Sequence, residues 1–197
     1  IIDTTNNGAV GSTAGAGITL GGAVDGTADN AQSLTLNAGT GGAIDVQSTI
    51  GATASKQLAT LTVTDSNGAT FTGAVTTDTS VVLTDTTDAA AITFNGALTT
   101  PTLTTAAQGY NLVLNGGATI TNAVSFLHSG TLTLGNDAAD VLLFDGGVTA
   151  TAPAGVTLNG TLRSSGDTVS LGDAGTAVTL AGTTSIIDTT NNGAVGS

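Results

Sequence analysis

The chain has 197 residues and a net charge of −12, with 14 acidic residues against only 2 basic ones. Two basic side chains cannot neutralise a phosphate backbone, which argues against nucleic-acid binding and disfavours an anionic membrane surface. Glycine supplies 29 residues and charged residues only 8% of the chain, a composition that favours strands and turns over helices with charged solvent faces.

Short triplets, in which two apolar residues flank a third residue that is polar in most cases, recur along the chain and predict half-buried strands. In Leu34-Thr35-Leu36 the two leucines face one way and the threonine faces the other. Strands this short need neighbours above and below to be stable. In chain order the triplets begin at Ile18, Leu34, Ile44, Leu61, Val81, Ile92, Leu112, Leu132, Val156, Val169 and Val178, and related apolar segments begin at Phe71, Val141 and Ile186.

Turn residues separate the triplets and predict sharp corners between the strands. Asn-Gly and Gly-Gly pairs accept the positive φ that a tight corner requires. Asn-Gly pairs begin at Asn7, Asn67, Asn95, Asn115, Asn159 and Asn192, and Gly-Gly pairs begin at Gly21, Gly41, Gly116 and Gly146.

The spacing of similar segments predicts the fold. Ile18, Ile44 and Phe71 follow one another at nearly equal intervals, and an interval of this length suits one coil of a solenoid. We predict an all-β, right-handed parallel β-helix (a β-solenoid) with roughly seven to nine coils per 185 residues and no helix longer than about two turns. The alternative is an antiparallel sandwich of immunoglobulin type, which also uses short strands and tight turns. Side chains predicted to face the core are Leu36, Val46, Val63, Phe94, Leu114 and Leu134.

A perfect internal repeat predicts the domain organisation. Residues 1–12 read IIDTTNNGAVGS, and residues 186–197 repeat these letters, each numbered 185 higher. We interpret residues 1–185 as one tandem repeat unit of a solenoid and residues 186–197 as the start of the next identical unit. Both copies are expected to adopt the same backbone, displaced along the axis, because neighbouring coils specify each coil.

Several phrases resemble filamentous-haemagglutinin-type bacterial surface proteins. They are Ile92-Thr-Phe-Asn-Gly-Ala-Leu98, the Gly-rich segment that starts at Gln32, and Leu112-Val-Leu-Asn-Gly-Gly-Ala-Thr-Ile120. The resemblance covers nearly the whole chain and implies a secreted adhesin or matrix fibre with a right-handed β-helix shaft. It also implies an extracellular or bacterial cell-surface location.

Catalytic, cofactor and metal sites are not expected. A β-helix hydrolase needs clustered acids with a basic partner, and Lys56 and Arg163 lie far apart in sequence. Asp137, Asp140 and Asp145 lie in a Gly/Asp-rich stretch that faintly resembles calcium-binding repeats, but solvated turn aspartates explain it better because calcium needs six to eight converging oxygens.

Other distinctive side chains are interpreted as structural. His128 is expected at the surface or at a corner, since a lone histidine makes no metal site. Lys56 and Arg163 are expected to form surface ion pairs with nearby aspartates. Thr-x-Thr motifs begin at Thr60, Thr62, Thr102, Thr131 and Thr149; their irregular spacing favours ordinary outward-facing strand positions over ice binding.

The function expected from the sequence is a structural or adhesive segment of a long bacterial surface or biofilm-matrix fibre. Its expected partners are neighbouring units of the same chain, other copies of the fibre, and a host or matrix surface, with no nucleic acid and no membrane insertion. The alternative is a glycan- or calcium-binding tandem adhesin domain of β-sandwich type. Tyr110 is the only tyrosine, which weakens glycan binding because sugars usually stack on aromatic rings.

Overall fold

A computed structural model describes residues 1–7 and 14–191. Across these residues the chain is all-β, so no helix is present that is long and apolar enough to cross a membrane. In chain order the strands are β1 (Ile2–Asp3), β2 (Ile18–Leu20), β3 (Leu34–Asn37), β4 (Ile44–Val46), β5 (Leu58–Asp65), β6 (Ala69–Phe71), β7 (Val75–Leu83), β8 (Ala91–Phe94), β9 (Leu98–Thr100), β10 (Thr102–Thr105), β11 (Asn111–Leu114), β12 (Ala118–Ile120), β13 (Val124–Ser125), β14 (Thr131–Leu134), β15 (Val141–Phe144), β16 (Val148–Ala150), β17 (Gly155–Arg163), β18 (Val169–Leu171) and β19 (Ala177–Asp188).

The strands pair in parallel and stack into a β-solenoid, which confirms the predicted fold class and excludes the antiparallel sandwich. Each coil contributes to three ladders of stacked strands. Among the described residues, the one antiparallel bridge outside the named strands joins Ser165 to Thr190. Parallel pairing of this kind requires the chain to travel around a full coil before it meets itself again.

The second ladder is the most regular. It stacks β2, β4, β6, β8, β11, β14 and the first halves of β17 and β19. Its longest step joins Ile18 to Ile44, the interval noted in the sequence, and its two shortest steps join Ile92 to Leu112 and Leu112 to Leu132, so the coil length varies along the chain. One row of paired residues reads Ile18, Ile44, Ala69, Ile92, Leu112, Leu132, Val156 and Val178, which corresponds to about seven turns.

The first and third ladders complete each coil. The first ladder stacks β1, β3, β5, the second half of β7 and β10, and β13, β16 and β18 continue it as a separate sheet. The third ladder runs through Val24, Ile50, the start of β7, β9, β12, β15, and the second halves of β17 and β19. β7, β17 and β19 contribute to two ladders because each continues around a corner.

The core is a narrow column of aliphatic side chains with a few aromatic rings. All six side chains predicted to face inward are fully buried, because period-two alternation directs every second residue to the interior. Phe71 and Phe94 pair in adjacent coils, and their rings stack with centroids 4.7 Å apart. Inward-facing side chains at equivalent positions of successive coils thus form continuous apolar rows along the axis.

Corners follow the turn signals in part. Gly68 and Gly160 each follow an asparagine, and their φ angles of 94° and 113° are open to glycine at little cost. Asn95 and Asn115 instead stack, with the Asn115 amide donating to Asn95 Oδ1 at 2.9 Å. Asparagine therefore occurs at corners and also forms side-chain hydrogen bonds between adjacent coils.

The two copies of the repeated segment share a local backbone but lie on different ladders. Asp3 accepts a hydrogen bond from Thr5 N at 2.7 Å, and its copy Asp188 accepts one from Thr190 N at 2.8 Å. Asn6 and its copy Asn191 have φ angles of 50° and 48°.

The surroundings of the copies differ, so the two copies share a local backbone without sharing the same ladder partners. Ile2 pairs with Leu36 in the first ladder, whereas its copy Ile187 pairs with Leu162 in the third. The second copy follows a complete coil, whereas the first has only the coil above it to pair with. Residues 8–12 and 192–197 of the two copies lie outside the described residues.

Candidate functional site

An acidic cleft lies at the corner where the first ladder turns into the second. It forms beyond the ends of β5 and β7, where adjacent coils place their turn residues side by side. The cleft has a volume of about 360 Å³ and is lined by Thr40, Asp65, Asp85, Thr86, Thr87 and Asp88.

Buried hydroxyl groups fix the floor of this cleft. Thr86 is buried, and its Oγ1 accepts hydrogen bonds from Ser66 Oγ at 3.0 Å and from Gly68 N at 2.8 Å while donating to the Ser66 carbonyl. Thr87 Oγ1 donates to the Thr40 carbonyl at 3.3 Å. The Thr86 bonds connect adjacent coils and satisfy a hydroxyl group that burial would otherwise penalise. The Thr87 bond is exposed and reaches across two coils.

The carboxyl groups give the cleft its electrostatic character. Burial raises the pKa of Asp65 above its ordinary value, and the negative charge of Asp85 raises it further. Asp65 therefore holds a proton more readily than an exposed aspartate does, while the negative potential attracts cations. Across the described residues, no group of three or more His, Cys, Asp or Glu side chains is arranged to hold a metal ion.

Sequence reasoning did not bring Asp65 and Asp85 together. The two residues are separated by the same interval as Ile92 and Leu112, which form one of the two shortest steps of the second ladder. Two aspartates separated in sequence by the length of one coil could have predicted their proximity. Because the coil length varies from turn to turn, this spacing is not recognisable in the sequence alone.

Two of the three aspartates in the calcium-like stretch hold their own turn, and the third connects adjacent coils. Asp140 Oδ2 accepts from Asn136 N at 2.8 Å and from Asp137 N at 2.9 Å. Asp137 Oδ1 accepts from Ala139 N, also at 2.9 Å. Asp145 accepts from the Ser165 hydroxyl of the next coil. The Asp137 and Asp140 carboxylates thus act as turn acceptors, whereas the Asp145 carboxylate forms a contact between coils.

His128 was expected at the surface, and that prediction is wrong. Its side chain is fully buried, stacked on Tyr110 with ring centroids 5.2 Å apart and edge-on to Phe126 at 5.9 Å. Neither ring nitrogen meets hydrogen-bond geometry with a described partner. Burial lowers the pKa of His128 to about 4, and the Thr131 backbone offsets this only in part. The ring is thus a neutral core side chain at pH 7.

Tyr110 is equally inaccessible. Its ring is fully buried and its hydroxyl donates to the Leu83 carbonyl at 3.2 Å. Burial raises the pKa of this phenol. The only tyrosine of the chain therefore presents no ring face on which a sugar could stack.

The two basic side chains differ in their surroundings. Arg163 Nε lies 3.5 Å from Asp188 Oδ2, and both side chains are partly exposed, which confirms the ion pair predicted for arginine. Lys56 is exposed and forms no ion pair with a carboxylate of the described residues, so the prediction for this lysine is wrong.

The predicted Thr-x-Thr motifs are divided between ladders. Thr62 and Thr102 lie on the first ladder and Thr131 on the second, and the residue between each pair of threonines points inward, as expected. A different set aligns on the outer side of the second ladder, where successive coils place Thr19, Asp45, Thr70, Thr93, Val113, Thr133, Thr157 and Thr179 in one row. Pairing register, rather than sequence spacing, creates this row.

No protein-family model matches this chain, and it matches neither a curated protein nor a solved structure. The resemblance to filamentous-haemagglutinin-type surface proteins therefore stays a prediction.

Proposed function

We propose that this chain is a structural or adhesive segment of a long bacterial surface or extracellular-matrix fibre, built by end-to-end stacking of solenoid units. The main supporting observation is that the apolar rows of the second ladder continue into β19, where their side chains are exposed. Val156 and Leu158 are 1% and 0% exposed, whereas Val178 and Leu180, the next residues in the same rows, are 41% and 60% exposed. A further coil would bury both side chains.

Open strand edges support the same proposal. The lower edge of β2 and the upper edge of β19 carry backbone groups that a stacked neighbour can pair with. Their contact is heterologous, since the upper surface of one unit meets the lower surface of the next, and such contacts generate open filaments. The net charge of −12 favours repulsion between the flanks of neighbouring fibres.

Electron microscopy of chains with one, two and four units tests this proposal. We expect single straight rods that lengthen by about 35–40 Å per added unit, since stacked strands rise about 4.8 Å per coil. Leu180→Asp at every joint should break the rods into separate beads, because the carboxylate would be buried without a partner. Thr179→Asp, which places the same charge on the outward side of the same strand, serves as the matched control.

Chains of beads, or compact particles that do not lengthen with unit number, would contradict the proposal. Rods that keep their full length with Leu180→Asp would show that this inward row does not form the joint. A bacterial surface or matrix location, and adhesion itself, belong to the same proposal and rest on the sequence resemblance.

A further inference from the structure

The ladders of stacked strands indicate the register in which one unit would stack on the next. This inference rests on the proposed function. We propose that Ile18–Leu20 of each following unit lies directly on Val178–Leu180 of the preceding one. In this arrangement, the whole-coil register, each repeat unit completes eight whole coils and adds no extra rotation of its ladders.

The length of the coil that would cross the joint favours the whole-coil register. Ile18 of a following unit would lie as far beyond Val178 along the chain as Ala69 lies beyond Ile44, a step that the second ladder already contains. The last observed step of the third ladder, from Leu162 to Ile187, has this same length.

The third ladder would continue equally well across the joint. Its next step, from Ile187 to Val24 of the following unit, would equal the step from Val156 to Val178 in the second ladder. Both ladders would therefore cross the joint with coil lengths that already occur within the unit.

The inward and outward positions of the two strands at the joint also match in the whole-coil register. The joint would place Ile18 on Val178 and Leu20 on Leu180, which continues both apolar rows of the ladder. It would place Thr19 on Thr179, both exposed here, which continues the outer threonine row. In the second ladder, inward apolar side chains would therefore meet inward apolar side chains and outward threonines would meet each other, as they do between β14, β17 and β19 inside the unit.

A rotated register is the competing arrangement. The first copy of the repeated segment pairs Ile2 with Leu36, a longer step than any in the second ladder. If this pairing persisted at a joint, Ile18 of the following unit would lie on Val169 instead, across an equally long interval. Such a step would loop out extra residues at each joint.

The whole-coil register therefore predicts a change of partner for the first copy. In this chain Val24 has Ile50 on one side, and Ile2 pairs with Leu36. At an internal joint the equivalent of Ile2 would leave Leu36 and lie beneath Val24, on Leu162 of the preceding unit. The observed placement of Ile187 on Leu162 is the pattern for that arrangement.

Cysteine pairs in a two-unit chain discriminate between the registers, and the chain has no cysteine of its own. The first variant carries Thr179→Cys in the first unit and Thr19→Cys in the second. The second carries Ser170→Cys in the first unit with the same Thr19→Cys. The matched positive control carries Thr99→Cys and Thr119→Cys within one unit, an exposed pair that is directly opposed in the third ladder. Opposed strand positions bring the two thiols within reach of a disulfide.

Each variant is oxidised, and the thiols that remain are then labelled with a polymer-linked maleimide. The shift of the band on a gel counts the remaining thiols. We expect the Thr179–Thr19 pair to lose both thiols as fast as the control pair, and the Ser170–Thr19 pair to keep them. Closure of the Ser170 pair instead would overturn the whole-coil register and leave the continuous fibre standing. If neither pair closes while the control does, the units do not stack on these ladders, and both the register and the fibre proposal fail.

Discussion

His128 is a fully buried imidazole whose charge state affects the stability of this fold. The ring lies between Tyr110 and Phe126, and no hydrogen bond to the described residues meets the geometry needed to stabilise its charged form. Its pKa of about 4 lies below the ordinary value of 6.5, so the unfolded chain binds a proton more readily than the folded one between these pH values. The contribution of neutral His128 to stability is therefore complete above pH 6.5 and is lost as the pH falls towards 4.

His128→Phe should remove this dependence, because phenylalanine keeps the ring and cannot be protonated. Urea unfolding at pH 7 and pH 4 should show that the wild-type protein loses about 3 kcal/mol more than the variant over this interval. The comparison cancels the aspartates, including Asp65, whose raised pKa acts in the opposite direction. Equal losses in the two proteins would mean that His128 does not titrate with unfolding.

Asp85→Asn tests the electrostatics of the acidic cleft. Removal of the Asp85 charge should lower the pKa of Asp65, but not to its ordinary value, because burial is the larger cause of the shift. Carbon-detected NMR titration of the Asp65 carboxyl gives the measurement. Asp88→Asn, in the same cleft, is the control and should leave Asp65 nearly unchanged; a larger shift in the control than in Asp85→Asn would contradict this account.

Among the structural elements, the corners depend on particular residues more strictly than the strands do. β17 passes from the second ladder to the third with a register shift between Leu158 and Gly160. Gly160 has a φ of 113°, and a Cβ at this position would lie 2.6 Å from the Asp140 carbonyl oxygen and 2.8 Å from that of Asp137. Both the backbone conformation and the space thus require glycine at this corner.

Gly160→Ala should consequently destabilise the unit by roughly 1–3 kcal/mol, seen as a lower midpoint in urea unfolding. Gly22→Ala is the matched control, since a Cβ there meets nothing within 4 Å, and its effect should stay within about 0.5 kcal/mol. Equal effects from the two substitutions would show that the corner relaxes around an added methyl group.

The strands themselves were predictable from the sequence, whereas the surroundings of individual side chains were not. Period-two alternation placed Leu114 and Leu134 in the core because it depends only on local geometry. His128 and the Asp65–Asp85 pair depend on which coils are adjacent and on variable coil length, which local pattern does not encode. The different ladder partners of the two copies of the repeated segment depend on coil adjacency in the same way.

At the scale of the whole molecule, stability comes from contacts between neighbouring coils, so the array should resist local opening. Trypsin has only Lys56 and Arg163 as targets. The Lys56 carbonyl accepts from Gly26 N at 2.8 Å, which connects this turn to the coil below. Arg163 lies within β17.

We therefore expect trypsin to cleave slowly at both basic residues under native conditions and rapidly at both after the same chain is denatured. Mass spectrometry of the fragments over time gives the measurement. Within the native chain, the bond after Lys56 should be cleaved first, because its side chain is exposed and lies in a turn. Rapid native cleavage after Lys56 would mean that its coil opens locally.

X-ray diffraction from an oriented film of a multi-unit chain tests whether the units form one continuous stack of parallel strands. A continuous stack gives a reflection at about 4.8 Å on the meridian, along the long axis of the fibre, because strands lie across the axis and stack along it. A reflection of about 4.8 Å on the equator, or a diffuse ring without orientation, would contradict the continuous solenoid.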